Sequence, residues 1–238
     1  MEGMRPPQLP EQPIEVVGPE RLARLLKACE GRDFTSRRDT AVILLLVDTG
    51  MRRAECAGMT LDDVDLDQRM AWVLGKGRRP RAPPIGRKTA RALDRYLRVR
   101  DEHRLSYLPH LLVGRNGPMT PSGIYQVVHD RARAAGLPAI HPHQLRHAFA
   151  TSWLAEGGNE NELMLVAGWK SRTMIDRYTK ARRWSGPGPA MPACLPPTGY
   201  RPGGNAPSRR QHAPRSVRAP RRMSEGRRPS PELTRAHP

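Results

Sequence analysis

Acidic residues, cysteine and long apolar runs are all in short supply in this 238-residue chain. Asp and Glu total 23 against 41 Lys and Arg, a formal charge of +18, far from the balance of an ordinary cytosolic enzyme, and such a surplus calls for a polyanionic partner. The three cysteines, Cys29, Cys56 and Cys194, stand far apart and in no C-x-x-C pattern. That excludes a disulfide framework and a zinc module, and fits reduced thiols in a cytoplasm. The longest apolar run, Ala41 to Val47, falls well short of the roughly 18 residues that span a bilayer. The opening Met-Glu-Gly-Met-Arg-Pro-Pro carries no apolar stretch of the signal-peptide kind. A cytoplasmic chain without a membrane span or secretion leader is expected.

Only 37% of the residues are hydrophobic, whereas Gly (21) and Pro (25) are plentiful, so part of the chain is expected to lie outside the core. The break falls near Trp184. From Ala181 to Pro238 there are twelve Arg and two acids, Pro or Gly recurs every few residues, and apolar periodicity stops. Such a segment cannot bury enough surface to offset its ordering entropy, and residues 183–238 read as a disordered basic tail. Residues 1–13, with Pro6, Pro7, Pro10 and Pro13, read as a second flexible end.

Between these ends the patterning is mainly helical with one small antiparallel β-sheet, an α+β body over residues 14–182. Pro19 opens a helix with Leu22, Leu25 and Leu26 at helical spacing. Ser36 is the expected cap of a second, buried helix that ends at Asp48-Thr49-Gly50. A short helix from Arg52 to Ala57 precedes strands at Val64 to Leu66 and Met70 to Leu74, with Ala82 to Ile85 as an edge strand. Leu93, Tyr96, Leu97 and Leu105 mark a long helix, and further helices are expected from Thr120 to Gly136, His143 to Glu156, Asn159 to Ala167 and Ser171 to Lys180.

Three polar clusters interrupt segments otherwise written for packing. In Thr49-Gly50-Met51-Arg52-Arg53-Ala54-Glu55 a glycine turn follows a buried helix, and Arg52 stands at the start of the next one, a corner suited to a phosphate. Taken alone, a surface pair between Arg52 and Glu55 explains it as well. In His143-Gln144-Leu145-Arg146-His147, positions 143 and 146 share a helix face, and 143 and 147 have the i, i+4 spacing of metal ligands. No Glu stands between them as in H-E-x-x-H, and no metal or cofactor is expected. The third is Tyr178, which by itself reads as a half-buried core residue.

Together, Thr49-Gly50-Met51-Arg52, Gly75-Lys76-Gly77, His143-x-x-Arg146, Trp169 and Tyr178 stand in the order of the tyrosine recombinase, or phage integrase, family. The steps of 24 residues from Arg52 to Lys76, 23 from Arg146 to Trp169 and 9 from Trp169 to Tyr178 resemble the family's intervals. The resemblance implies the integrase catalytic-domain fold and a set of roles. Arg52 and Arg146 would hold the non-bridging oxygens of the scissile phosphate. Lys76 would protonate the leaving 5′-oxygen from a β-hairpin. His143 would be the general acid/base, and Trp169, where members have His or Trp, would donate to the phosphate. Tyr178 would be the nucleophile, and Glu55 a brace for Lys or His. The implied partner is double-stranded DNA, with a tetramer on two sites in the family, and neither a membrane nor a small-molecule substrate.

Family members carry a helical DNA-clamping domain ahead of this body and a docking helix after it. Here residues 1–18 precede the first expected helix, so the parts needed for synapsis are expected to be missing. Three functions stay open at this point: a strand-breaking and rejoining recombinase, a type IB topoisomerase-like enzyme, and a non-catalytic DNA-binding remnant. The positive charge serves all three, because phosphate contacts give affinity whatever follows. A chemistry run by side chains alone should be indifferent to chelators. DNA binding and cleavage are expected to be unchanged by EDTA, and inhibition reversed by a divalent ion would instead reinstate a metal at His143 and His147.

Overall fold

The computed structural model describes residues 16–75, 80–169, 171–176 and 178. The two ends read as flexible, 1–13 and 183–238, lie outside the described residues, as does Lys76. Seven helices are described: α1 (Pro19–Lys27), α2 (Phe34–Thr49), α3 (Arg53–Ala57), α4 (Arg87–Asp101), α5 (Pro121–Ala134), α6 (Pro142–Ala155) and α7 (Glu160–Ala167). Residues 173–176 and 178 are helical as well. No described helix is long and apolar enough to cross a membrane.

The centre is α2. Residues 41 to 49 are all buried, each large aliphatic side chain contributing roughly 1.5–3 kcal/mol by leaving water. α2 packs against α4, α5 and α6. Its cap is Asp33 and not Ser36: the Asp33 carboxylate accepts from the Ser36 N–H at 2.9 Å, so Ser36 lies within the first turn. At the other end Gly50 takes the left-handed conformation (φ 56°), its N–H donating to Leu46 O.

The expected single sheet is two short antiparallel ladders. β1 (Val64–Asp65) pairs with β2 (Met70–Ala71), and β3 (Val73–Leu74) pairs with β4 (Pro80–Arg81). The third strand is β4 at Pro80–Arg81. The expected Ala82 to Ile85 runs on beside β2 as an isolated antiparallel bridge of Pro84 with Met70, the Ala71 N–H donating to Pro83 O (3.0 Å) and the Ile85 N–H to Arg69 O (2.8 Å). Pro83 and Pro84 themselves have no N–H to give. Leu74 pairs with Pro80.

Leu105 lies beyond α4 because the chain turns around a cation. Arg100, 1% exposed, donates to the carbonyls of Leu111 (3.1 Å), Ser106 (3.3 Å), Leu108 (2.6 Å) and His110 (2.7 Å). One guanidinium thus satisfies four backbone carbonyls of the α4–α5 connection. Two apolar clusters result. The larger lies around α2, and the smaller joins the far side of α6 to α7, Trp169, Ile175 and Tyr178. Arg100→Met should leave four carbonyls without their donor and cost on the order of 3 kcal/mol, a fall of roughly 6–12 °C in Tm. Arg98→Met, which loses only an exposed pair with Asp94, is expected to change stability by less than about 0.5 kcal/mol. Equal melting temperatures for the two variants would refute the clamp.

Candidate active site

The site forms where the two clusters meet, and Arg146 stands at the junction. Its neighbours Leu145 and Ala148 belong to the larger cluster, Phe149 and Ala150 to the smaller. The guanidinium, 9% exposed, donates to Gly50 O at the end of α2 and to Ala167 O (2.6 Å) at the end of α7. It lies over the Trp169 ring, 5.5 Å from the centroid. Burial, then the charges of Arg52 and Arg81, lower its pKa to about 10, so it is charged at neutral pH. Gly50 is required here on two counts. Its φ is left-handed, and a Cβ would sit 2.3 Å from Phe149 Cδ1.

Arg52 caps α3. Its N–H donates to Glu55 Oε2 (2.8 Å) and its Nη1 to Glu55 Oε1 (2.9 Å), while its side chain is 45% exposed. The pair with Glu55 that was the alternative reading is therefore formed, yet Glu55 does more than neutralise Arg52. From the other side Arg81 on β4 donates to it through Nη2 (2.7 Å) and Nη1 (3.3 Å), and through Nε to Val166 O (2.8 Å) in α7. Arg81, with an 8% exposed side chain, was not singled out in the sequence. It lies in the run Arg78-Arg79-Pro80-Arg81, where only its pairing opposite buried Val73 distinguishes it. Glu55 thus braces two arginines, and Lys76, which it was expected to brace, lies outside the described residues. Among the described residues one carboxylate stands among three guanidiniums, leaving an excess of positive charge in a partly dehydrated cleft.

Tyr178 is 4% exposed and lies flat on Trp169, ring centroids 5.2 Å apart at 8°. The Trp169 indole N–H is buried without a hydrogen-bond partner among the described residues, a donor available for an acceptor oxygen. Tyr178 Oη is hydrogen-bonded to His147 Nδ1. His143, one turn earlier on α6, is exposed. Its described ring partners are His141, stacked at 5.5 Å, and His147, edge-on at 5.7 Å. Burial, and then His141, hold its pKa below the ordinary histidine value. Arg52, Arg146, Trp169 and Tyr178 are thus brought together, with His143 at the edge. Among the described residues no three His, Cys, Asp or Glu are grouped to hold a metal. Cys29 and Cys56 are free, buried and pushed up to about 12, which leaves them unreactive.

The same body is similar to known proteins. The model of the phage integrase family matches residues 15–183. The tyrosine recombinase XerC of Staphylococcus carnosus (strain TM300) is 35% identical over 162 residues, 67% of this chain and 55% of that protein. Tyrosine recombinase XerD of Mycobacterium tuberculosis (strain CDC 1551 / Oshkosh) is 37% identical over 148 residues, 60% of this chain and 47% of that protein. The chain spans about half the length of the curated relatives it matches. The crystal structure of XerA recombinase superposes with a TM-score of 0.64 at 28% identity, covering 75% of this chain and 65% of that one. The post-cleavage complex of XerH site-specific recombinase bound to palindromic difH substrate gives a TM-score of 0.62 at 22% identity, covering 71% of this chain and 50% of that one, and shares the fold.

The Glu55 brace makes a measurable pH dependence. Burial raises the Glu55 pKa, but the hydrogen bonds from Arg81 and Arg52 and the Arg81 charge outweigh it, and the folded value lies below 4.5. The unfolded chain then takes up the proton first, so the stabilisation is fully present above about pH 4.5 and is lost as pH falls through the folded value. Glu55→Gln should be less stable at neutral pH and should lose less stability between about pH 6 and about pH 3. Urea midpoints at several pH values check this, and parallel acid limbs for the two proteins would contradict it.

Proposed function

The chain belongs to the phage integrase family of tyrosine recombinases, and on that premise we propose that it cleaves and rejoins double-stranded DNA at specific sites through a 3′-phosphotyrosyl intermediate. The observation that carries the reading is the excess of guanidinium over carboxylate beside Tyr178. A phosphodiester in that cleft would relieve the repulsion among Arg52, Arg81 and Arg146, which a neutral substrate would not. Arg52, exposed and preset by Glu55, and Arg146, charged and buried, are the donors for the two non-bridging oxygens. Planar forks of this kind stabilise the charge that grows on those oxygens in the transition state. The unpartnered Trp169 N–H is a further donor, and the neutral His143 a group able to accept or give a proton at the edge of the cleft.

Tyr178 Oη attacks phosphorus, and Lys76, which follows β3 in sequence, protonates the departing 5′-oxygen. The bond energy is kept in the phosphotyrosine, so the strand is rejoined without ATP or a metal. Site specificity and the tetrameric assembly on two DNA sites belong to this proposal, as does a cytoplasmic location. The DNA-bound XerH complex and the transposon right-end DNA complex of the Tn1549 integrase support DNA as partner.

The test is covalent capture of the full chain on nicked duplexes of randomised sequence, counted after denaturation. Tyr178→Phe should abolish the adduct. Arg146→Ala should slow its formation by on the order of 10²–10³ while weakening DNA binding far less. An adduct that survives Tyr178→Phe would remove Tyr178 as nucleophile. Equal losses in binding and rate for Arg146→Ala would reduce the site to a DNA-binding surface.

A further inference from the structure

The family resemblance gives the proton-transfer role to His143, but the imidazole that touches the candidate nucleophile is that of His147. Resting on the reading of Tyr178 as nucleophile, we infer that His147 is a catalytic residue, the base that takes the phenolic proton. Position 147 was singled out in the sequence only as half of a metal-ligand spacing with 143.

The placement follows from the helix. Residues 143, 147, 150 and 154 recur at i, i+4, i+7 and i+11 along α6, one stripe of its surface. Ala150 and Leu154 of that stripe are buried in the same apolar cluster as Trp169 and Tyr178, so the stripe faces the tyrosine. His147 is the residue of the stripe level with the phenol, its ring 5.4 Å from that of Tyr178. His143 lies a turn nearer the exposed end of α6 and reaches Tyr178 only through the His147 ring. Behind the phenol, Trp169 stacks on its face and fixes its plane. Oη is therefore held at Nδ1 before any substrate arrives.

In the tautomer that carries its proton on Nε2, His147 Nδ1 accepts from Tyr178 Oη–H. As the Oη–phosphorus bond forms, the phenolic proton passes to Nδ1, giving the imidazolium. The bond from phosphorus to the 5′-oxygen breaks, and that oxygen receives a proton from the Lys76 ammonium. Rejoining runs backwards: the 5′-hydroxyl returns its proton to Lys76 as it attacks, and the departing phenolate takes the proton held on His147. A phenol with a pKa of about 10 is a weak nucleophile at neutral pH and needs such a partner.

The experiment uses the full chain on the same randomised nicked duplexes. His147→Gln and His147→Asn should each slow adduct formation by roughly 10²-fold or more. Replacing Tyr178 by a ring-fluorinated tyrosine, whose phenol is more acidic, should restore most of the rate in the His147 variants. It should do little for His143→Gln, since His143 does not touch the phenol. Adduct formation near the unsubstituted rate in both His147 variants overturns the inference and leaves the nucleophile assignment intact. A loss that the fluorinated tyrosine does not recover also overturns it, because His147 would then serve only packing. No adduct from the unsubstituted chain, or an adduct that persists in Tyr178→Phe, removes the parent reading and this one with it.

Discussion

Arg146 donates from one arm of its guanidinium to Gly50 O at the end of α2, and from the other to Ala167 O at the end of α7. Both helices close on a left-handed glycine, Gly50 and Gly168, so the negative ends of two helix dipoles converge on one cation. Taking an arginine out of water costs several kcal/mol. Each helix end returns up to about 2 kcal/mol of that in a partly buried geometry, and the carbonyls satisfy hydrogen bonds that would otherwise be lost. The larger apolar cluster around α2 and the smaller one around α7 are joined through this side chain, and Tyr178 belongs to the smaller. Its distance from the Arg52 corner is therefore set by Arg146.

Arg81 repeats the arrangement one layer out. It ties the hairpin strand β4 to Val166 of α7 and to Glu55 of α3. Strand β4, the arginine corner and the helix before Trp169 thus share a single network. Such networks are costly to leave half-satisfied. The one carboxylate is fully engaged with Arg52 and Arg81, so an anion entering the cleft meets donors whose directions are already fixed. Its binding requires little rearrangement of protein charge, the condition under which preorganised donors are most effective.

The helices around α2 were legible because their apolar spacing and capping residues are local signals, and the order from Arg52 to Tyr178 was legible because the intervals between functional residues are part of the primary structure. What stayed hidden depends on contacts distant in sequence. Arg81 is one cation in a basic run until β4 pairs with β3 and turns it toward Glu55. His147 carried an ambiguous i, i+4 signal that only the packing of α6 against the Tyr178 segment resolves. Asp33 and Ser36 are both good caps, and the backbone chooses the first. The end of α4 was overestimated because Leu105 fits the helical period, whereas the chain obeys the buried Arg100 and its four carbonyls.

The corner at Gly50 bears on how such a chain can diverge. Any side chain there meets the Phe149 ring and also strains a left-handed backbone, while a smaller residue at 149 would open a void beneath the carbonyl that Arg146 grips. A change at either position is therefore costly alone, and a simultaneous change would still face the backbone penalty at Gly50. The exposed surface around it carries no such constraint and can change one codon at a time. This pair does, so the grip of Arg146 on the end of α2 is tied to two residues that must change together if they change at all.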